Sequence, residues 1–265
     1  MRQSIGFQGT SGAFSEEAAC TILRRARCRG YETFDDLLSA VNAKEVTYGM
    51  LPVENSIYGS IARSYDLIAA HRNVRIVDEL SYPISQCLIG LPGSRLADIV
   101  RVASHPVALE QCHEFLKSMP RAKTFVAYDT AGAVADVARR GDPTAAAVGS
   151  ALAARRYGCA VLAENIQDDA QNETRFFIIE RDGHPRRDSG KGCLALTLPH
   201  ARGTLQNALA VLADADCNLT ALVARPDRQN PFNYVFYVEF ACLGAQRQLD
   251  VLRTLGASAR LLGTY

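Results

Sequence analysis

The sequence predicts an α/β protein: a doubly wound, two-lobed body followed by a smaller ferredoxin-like βαββαβ unit. Three observations predict it. Short apolar runs alternate with helix-period segments from residue 4 to about 180, the pattern of a mostly parallel sheet covered by helices. A polar, breaker-rich stretch from Arg181 to Gly190 then interrupts that pattern. Beyond it, strand and helix patterns follow in the order βαββαβ.

In the body, the strands are expected at Ser4–Phe7, Tyr48–Pro52, Val74–Leu80, Ile84–Ile89, Ile99–Ser104, Thr124–Ala127, Ala145–Val148, Val161–Asn165 and Phe176–Glu180. Each is a short apolar run too brief for a buried helix. Helix-period segments fill the gaps: Ser15–Ala26, Asp35–Ala43, Ile61–His71, Val107–Leu116, Ala131–Arg139 and Ala151–Tyr157. The stretch Val77 to Ser85, with Tyr82-Pro83, reads as a crossing between lobes, near 80–85. A return near 165–174 brings the last strand back to the first lobe. After the linker come a strand at Cys193–Leu198, an amphipathic helix at Thr204–Ala215 and strands at Asn218–Arg225 and Tyr234–Phe240. A helix near Ala245–Leu255 and a strand at Ala259–Leu262 complete the unit. The expected domains are therefore 1–181, a linker at 182–192, and 193–265.

With 265 residues, 48% of them hydrophobic and 22% charged, the chain can bury a substantial core. Its net charge of +1 is spread along the sequence, so no nucleic-acid footprint is present. The basic pairs Arg24-Arg25, Arg139-Arg140 and Arg155-Arg156 read as solvated helix ends, and Arg186-Arg187 as linker. No apolar run approaches the roughly 20 residues that span a bilayer, and Met1 to Phe7 enters a strand-like segment with no signal-peptide core. The expected location is cytoplasmic. The eight cysteines form no C-x-x-C pair or compact Cys/His cluster. That argues against zinc and reads most of them as small buried hydrophobes in a reducing compartment.

Chemistry concentrates in Gln171-Asn172-Glu173-Thr174-Arg175-Phe176-Phe177, where a polar loop enters an apolar strand. A strand holds its backbone rigidly while successive side chains point to opposite faces. Small hydroxyls also sit at the strand–helix junctions: Gly9-Thr10-Ser11-Gly12, Pro52-Val53-Glu54-Asn55-Ser56, Gly59-Ser60, Ser104-His105-Pro106, Asp129-Thr130-Ala131-Gly132 and Gly149-Ser150. Singly each is an N-cap. Together, at the carboxyl ends of strands, they suit a small polar anion such as a carboxylate. There is no phosphate loop, dinucleotide fingerprint, G-x-S-x-G elbow or H-E-x-x-H, so no nucleotide or nicotinamide is indicated.

Gly6-Phe7-Gln8-Gly9 with Gly12-Ala13-Phe14-Ser15-Glu16, Pro52-Val53-Glu54-Asn55-Ser56, Gly59-Ser60-Ile61, Ser104-His105-Pro106, Asp129-Thr130-Ala131-Gly132, Ile166-Gln167-Asp168-Asp169 and Thr174-Arg175-Phe176 occur together in an order that closely resembles the prephenate dehydratases and their arogenate dehydratase relatives. The resemblance runs from about Ser4 to Glu180, and the tail resembles the family's ACT domain. It implies a periplasmic-binding-protein-like catalytic domain that converts prephenate to phenylpyruvate, or arogenate to phenylalanine, with no cofactor or metal. The family's essential threonine matches Thr174, which would assist the departing hydroxyl. Arg175 either clamps a carboxylate bidentately or braces the strand. Phe176 is either an apolar wall of the site or core. Asn55 and Ser56, with Thr10, Ser11, Ser104 and Thr130, would hold carboxylates and the keto or amino end. Glu54 reads equally as a structural residue or a general acid, and His105 as a helix-start residue rather than a base. Where many relatives carry a histidine, this chain has Gln86, which donates a hydrogen bond and does not titrate.

In the C-terminal unit, relatives that bind phenylalanine carry a G-A-L-V-type loop and an E-S-R-P segment. The matching residues here are Gly203-Thr204-Leu205-Gln206 and Val223-Ala224-Arg225-Pro226. The resemblance therefore implies a phenylalanine effector site at Gly203, Leu205, Asn218 and Leu219, without the acid and serine. It further implies a homodimer or homotetramer, of the monofunctional type.

Overall fold

The computed structural model describes residues 3–22, 27–184, 190–227, 230–242 and 245–265. In chain order these begin with β1 (Ser4–Gln8), α1 (Phe14–Ile22), β2 (Arg27–Tyr31), α2 (Phe34–Asn42), β3 (Tyr48–Asn55), β4 (Gly59–Ser60) and α3 (Ala62–Ala70). Next come β5 (Val74–Pro83), β6 (Cys87–Gly90), β7 (Arg101–Ser104), α4 (Pro106–Glu110), α5 (His113–Lys117), β8 (Lys123–Val126) and α6 (Thr130–Arg140). Then β9 (Ala145–Gly149), α7 (Ala151–Tyr157), β10 (Ala160–Ala163) and β11 (Glu173–Arg181). The chain closes with β12 (Lys191–Thr197), α8 (Thr204–Asp214), β13 (Asn218–Pro226), β14 (Tyr234–Ala241), α9 (Ala245–Leu255) and β15 (Ala259–Thr264). The protein is thus a mixed α/β structure with two sheets.

Two compact units emerge, each discontinuous in sequence. Unit 1 comprises Met1–Leu37, Asn55–Gly59 and Ser81–Arg175. Its five-stranded sheet has the order β10-β6-β9-β7-β8. β7 is parallel to β8 and β9, whereas β6 runs antiparallel to β9 and β10. Strand alternation sends Ile89 and Ala147 to one face, against Val134, Val137 and Ala153, and Leu88 and Val148 to the other, against Ala108, Cys112 and Ile166. A core on each face is the physical content of double winding.

Unit 2 comprises Leu38–Glu54, Ser60–Leu80 and Phe176–Tyr265, with strand order β13-β14-β12-β15-β5-β11-β3. The β12-α8-β13-β14-α9-β15 segment matches the expected βαββαβ order, with β12, β13 and β14 antiparallel to their neighbours. Its sheet continues into β5, where Gly263 meets Ile76. A Cβ at Gly263 would stand 2.2 Å from the Ile76 carbonyl oxygen, so that junction requires glycine. Polar groups are buried in pairs here. Arg225 forks onto Asp66 (2.9 and 3.1 Å), which also accepts from the Tyr237 hydroxyl. Tyr65 and Tyr265 both donate to Glu239.

Several expectations need correction. β2 has no apolar alternation (Arg-Cys-Arg-Gly-Tyr) and went unforeseen. The expected helix Val107–Leu116 is two short helices, because Asp168 N takes the Gln111 carbonyl and the Asp168 carboxylate takes Glu114 N. The expected strand Ile84–Ile89 shortens to Cys87–Gly90. The cysteines are not uniformly buried thiols. Cys217 and Cys242 form a disulfide, brought together by the Asn218–Ala241 register, and Cys20 is exposed. Burial does push the Cys112 thiol up to about 12, consistent with an inert core group. Arg24, Arg25, Arg186 and Arg187 lie outside the described residues, as do residues 185–189 of the expected linker. Among the described residues, no helix is long and apolar enough to cross a membrane, and no group of three His, Cys, Asp or Glu is placed to hold a metal.

Candidate active site

Asn55, the last residue of β3, organises the most informative cluster. Its Oδ1 accepts from the Ile57 and Tyr58 amides at 3.1 Å each, closing a turn. Its Nδ2 donates to Asn172 Oδ1 (2.8 Å), the Glu173 carbonyl (3.0 Å) and Thr174 Oγ1 (3.2 Å). Two hydrogens serve three acceptors, so the amide is fully committed and cannot swing. Because Thr174 Oγ1 receives a hydrogen bond, its own proton is aimed elsewhere, available to an incoming oxygen. Ser56 acts differently. Its hydroxyl donates to the Gln171 carbonyl and accepts from Glu173 N, both at 3.0 Å. Ser56 therefore braces the segment that carries Thr174.

A second polar layer involves Gln86, which is 2% exposed. Its amide N–H donates to Gln167 Oε1 (3.0 Å) and its Nε2 to Gln111 Oε1 (3.2 Å). Its Oε1 is buried without a hydrogen-bond partner, and so is Nδ2 of Asn172, 1% exposed. An orphaned buried polar atom costs about 1–3 kcal/mol. Finding one acceptor and one donor of this kind marks these two amides as open valences in the fold. Gln111 and Asn172 were missed by the sequence reading. Asn172 stands two residues before Thr174, and strand periodicity could have placed both on one side. Gln111 carried no comparable signal, since only the break between α4 and α5 buries it.

The Gly9–Gly12 loop is held from the other strands of unit 1. Thr10 Oγ1 donates to Asp129, the N-cap of α6, at 3.3 Å. The buried Glu16 carboxylate accepts from Gly12 N (2.6 Å) and Ser11 Oγ (3.2 Å) and pairs with Arg156 (2.8 Å). Ser150 Oγ donates to the Gly12 carbonyl. Gly12 has a φ of +93°, and a Cβ there would meet the Ala153 backbone at 2.7 Å, so only glycine lets the loop lie this close. Thr10 and Ser11 line a cavity of about 570 Å3 with Gly30, Glu32 and Tyr128. That cavity shares no lining residue with the Asn55–Thr174 cluster.

The remaining expected residues fall as follows. Ser104 is wholly buried, and its hydroxyl donates to the Val148 carbonyl at 2.7 Å, leaving it only lone pairs to offer. Thr130 opens α6, half-buried. His105 is the N-cap of α4, accepting from Val107 N, the helix-start role expected. Arg175 is half-buried, and Phe176 joins the apolar interior. Gly203 and Leu205 line a separate cavity of about 320 Å3 with Pro199, Tyr234 and Phe236. Asn218 and Leu219 lie on β13 outside that lining.

Residues 5–184 match the family model described as Prephenate dehydratase. The chain is 38% identical to the Arabidopsis thaliana protein named Arogenate dehydratase/prephenate dehydratase 1, chloroplastic, over 281 residues covering 98% of this chain and 71% of that protein. Among solved structures, the prephenate dehydratase of Arthrobacter aurescens in complex with L-Phe gives a TM-score of 0.89 at 29% identity, covering 98% of this chain and 88% of that one. GqqA, described as a novel type of quorum quenching acylase, gives a TM-score of 0.89 at 31% identity, covering 98% and 97%.

Proposed function

Because the chain belongs to the prephenate dehydratase family, we propose that it converts prephenate to phenylpyruvate, with arogenate to phenylalanine as the alternative. In this reading the ring C–OH bond breaks and hydroxide leaves with its electron pair, taking a proton to become water. The ring C–carboxylate bond breaks to release CO2, and its electrons complete the aromatic ring. Aromatisation supplies the driving force, so the protein needs only to hold the carboxylates and help the hydroxide leave. An interaction accelerates this step only if it strengthens in the transition state.

The hydrogen bond from Asn55 Nδ2 to Thr174 Oγ1 carries the proposal. It turns the Thr174 proton outward, toward the position of a departing oxygen, where developing negative charge rewards a fixed donor. Asn55 orients Thr174, and Ser56 braces the same segment. Arg175 and Thr130 hold the anionic and keto or amino groups, Gln86 supplies a neutral polar contact, and Thr10 and Ser11, whose hydroxyls donate to Asp129 and Glu16, hold their own loop. Incubating purified protein with prephenate and, separately, arogenate tests the reading. Phenylpyruvate from the first is expected; neither phenylpyruvate nor phenylalanine would sink it. The resemblance to GqqA makes acylase activity the second reading, and release of the acyl group from an N-acyl substrate by the same preparation would favour it.

Residues 193–265 are read as a regulatory ACT domain that takes L-phenylalanine. The cavity at Gly203 and Leu205 and the L-Phe complex of the Arthrobacter aurescens relative support this. Isothermal titration with L-phenylalanine tests it. Cytoplasmic residence and a homodimer or homotetramer complete the reading, the latter tested by light scattering on the eluting protein.

A further inference from the structure

We propose that Cys20 and Cys28 form a redox-active dithiol that closes to a disulfide by exchange with a small-molecule disulfide. Their sulfurs stand 3.1 Å apart, against about 2.05 Å in a formed bond, so closure needs a shift of about 1 Å. Cys20 is exposed on α1, and Cys28 is half-buried on β2, opposite Ile5 of β1. These features separate the pair from the chain's other sulfurs. Cys87, Cys112 and Cys193 are buried, Cys159 is half-buried with its sulfur beside the Tyr157 carbonyl, and Cys217 and Cys242 are already joined.

Exposure sets the order of events. Burial, followed by the hydrogen bond with Cys20, pushes the Cys28 thiol up to about 12, so Cys20 is the attacking sulfur. The Cys20 thiolate attacks one sulfur of the external disulfide and expels the first small thiolate, leaving a mixed disulfide on Cys20. Cys28 then gives its proton to solvent and attacks Cys20 Sγ, expelling the second small thiolate. Two protein thiols are oxidised and one external disulfide is reduced to two thiols. No further oxidant is required.

The bond would tie β2, whose end lines a cavity, to α1, which holds a loop that also lines it. α1 carries Glu16, whose carboxylate holds Ser11 and Gly12. β2 leads into Gly30, Tyr31 and Glu32, which line the same cavity as Thr10 and Ser11. The site is thus placed to register redox state beside that cavity, whatever the cavity binds, and its test does not depend on the enzymatic reading.

The full chain, reduced under native conditions and desalted, would be incubated in graded mixtures of reduced and oxidised glutathione, quenched with N-ethylmaleimide and digested with trypsin. Cleavage after Arg24, Arg25 and Arg27 separates the two cysteines, so only a bond can hold the Cys28-Arg29 dipeptide on the Cys20 peptide. The linked peptide should accumulate as the buffer becomes more oxidising and disappear on return to reduced glutathione. The Cys217–Cys242 peptides in the same digest report that second bond independently. Cys28→Ser should trap glutathione on Cys20, whereas Cys20→Ser should leave Cys28 unmodified in the native protein. Both cysteines labelled by N-ethylmaleimide at every poise would overturn the proposal. So would separate glutathione adducts with no linked peptide.

Discussion

Two sets of polar side chains, one in each unit, are buried in opposite ways. In unit 2 the cluster around Asp66 and Glu239 closes on itself: Asp66 takes the Arg225 fork and the Tyr237 hydroxyl, and Glu239 takes two tyrosine hydroxyls, although Arg181 Nε and Arg260 Nη2 of the same unit are buried without a hydrogen-bond partner. In unit 1 two separate amide pairs, Gln86 with Gln111 and Asn55 with Asn172, each leave one buried atom without a partner, Gln86 Oε1 and Asn172 Nδ2. Unit 1 also leaves the Thr174 proton uncommitted beside Asn55. The contrast separates polar burial whose partners are in place from polar burial that leaves an atom without one. Charge with its partner in place is structure; a rigid neutral group with an open valence is a candidate for chemistry.

The sharpest test changes one hydroxyl in unit 1. Thr174→Ala should lower the turnover of prephenate by about 100- to 1,000-fold, the usual range for one lost transition-state donor, with little change in KM. Thr174→Ser keeps the oxygen and should recover most of the rate. Unchanged kcat in the alanine variant would remove Thr174 from its role. Its mirror is Asp66→Ala in unit 2, which strands the Arg225 guanidinium and the Tyr237 hydroxyl. A loss of about 2–3 kcal/mol is expected there, below the figure for fully buried pairs because Arg225 keeps some solvent contact. Urea unfolding would measure it, while turnover per folded molecule stays near wild type. A large kinetic defect without instability would break the division between the units.

Much of unit 1 was legible because strand and helix periods differ. The short apolar runs at Cys87 to Ile89 and Ala145 to Val148 gave the central strands, and the hydroxyl-rich junctions gave Thr10, Ser11 and Thr130 their places at helix starts. β2 was not legible, since Arg27, Arg29 and Gly30 carry no apolar pattern. Gln111 was hidden because its burial depends on a distant loop residue, Asp168. Arg225 was read as part of an effector segment, yet its partner Asp66 lies 159 residues away. Local periodicity announces elements, whereas partners distant in sequence decide which polar groups are already spent.

Gln86 offers a smaller effect that sharpens the same contrast. As it stands, this position cannot impose a pH dependence on the rate. Gln86→His should introduce an ionisation, and because the site is buried the imidazole should titrate below about 6.5. A profile of kcat/KM against pH checks this: the variant should lose activity only on the acid side, by several-fold. A profile that coincides with wild type would show that Gln86 stands apart from the reacting groups.

The smallest effect concerns a carboxylate in unit 1 without the partners found in unit 2. Glu17 is half-buried on α1 and accepts from Leu152 N at 3.0 Å. Burial, its largest influence, raises its pKa above the ordinary 4.5 even though that hydrogen bond and Arg155 pull it down. The folded protein therefore binds this proton more tightly than the unfolded chain. Below pH 4.5 both states hold the proton and Glu17 is neutral in the balance; as pH rises through the raised value, charging it weakens the fold. Glu17→Gln keeps an acceptor for Leu152 N and removes the charge. The variant should match wild type near pH 4 and unfold at a slightly higher urea concentration at pH 7. A variant less stable at pH 7 would mean that the Glu17 charge, like those of Asp66 and Glu239, has found enough partners to belong to the fold.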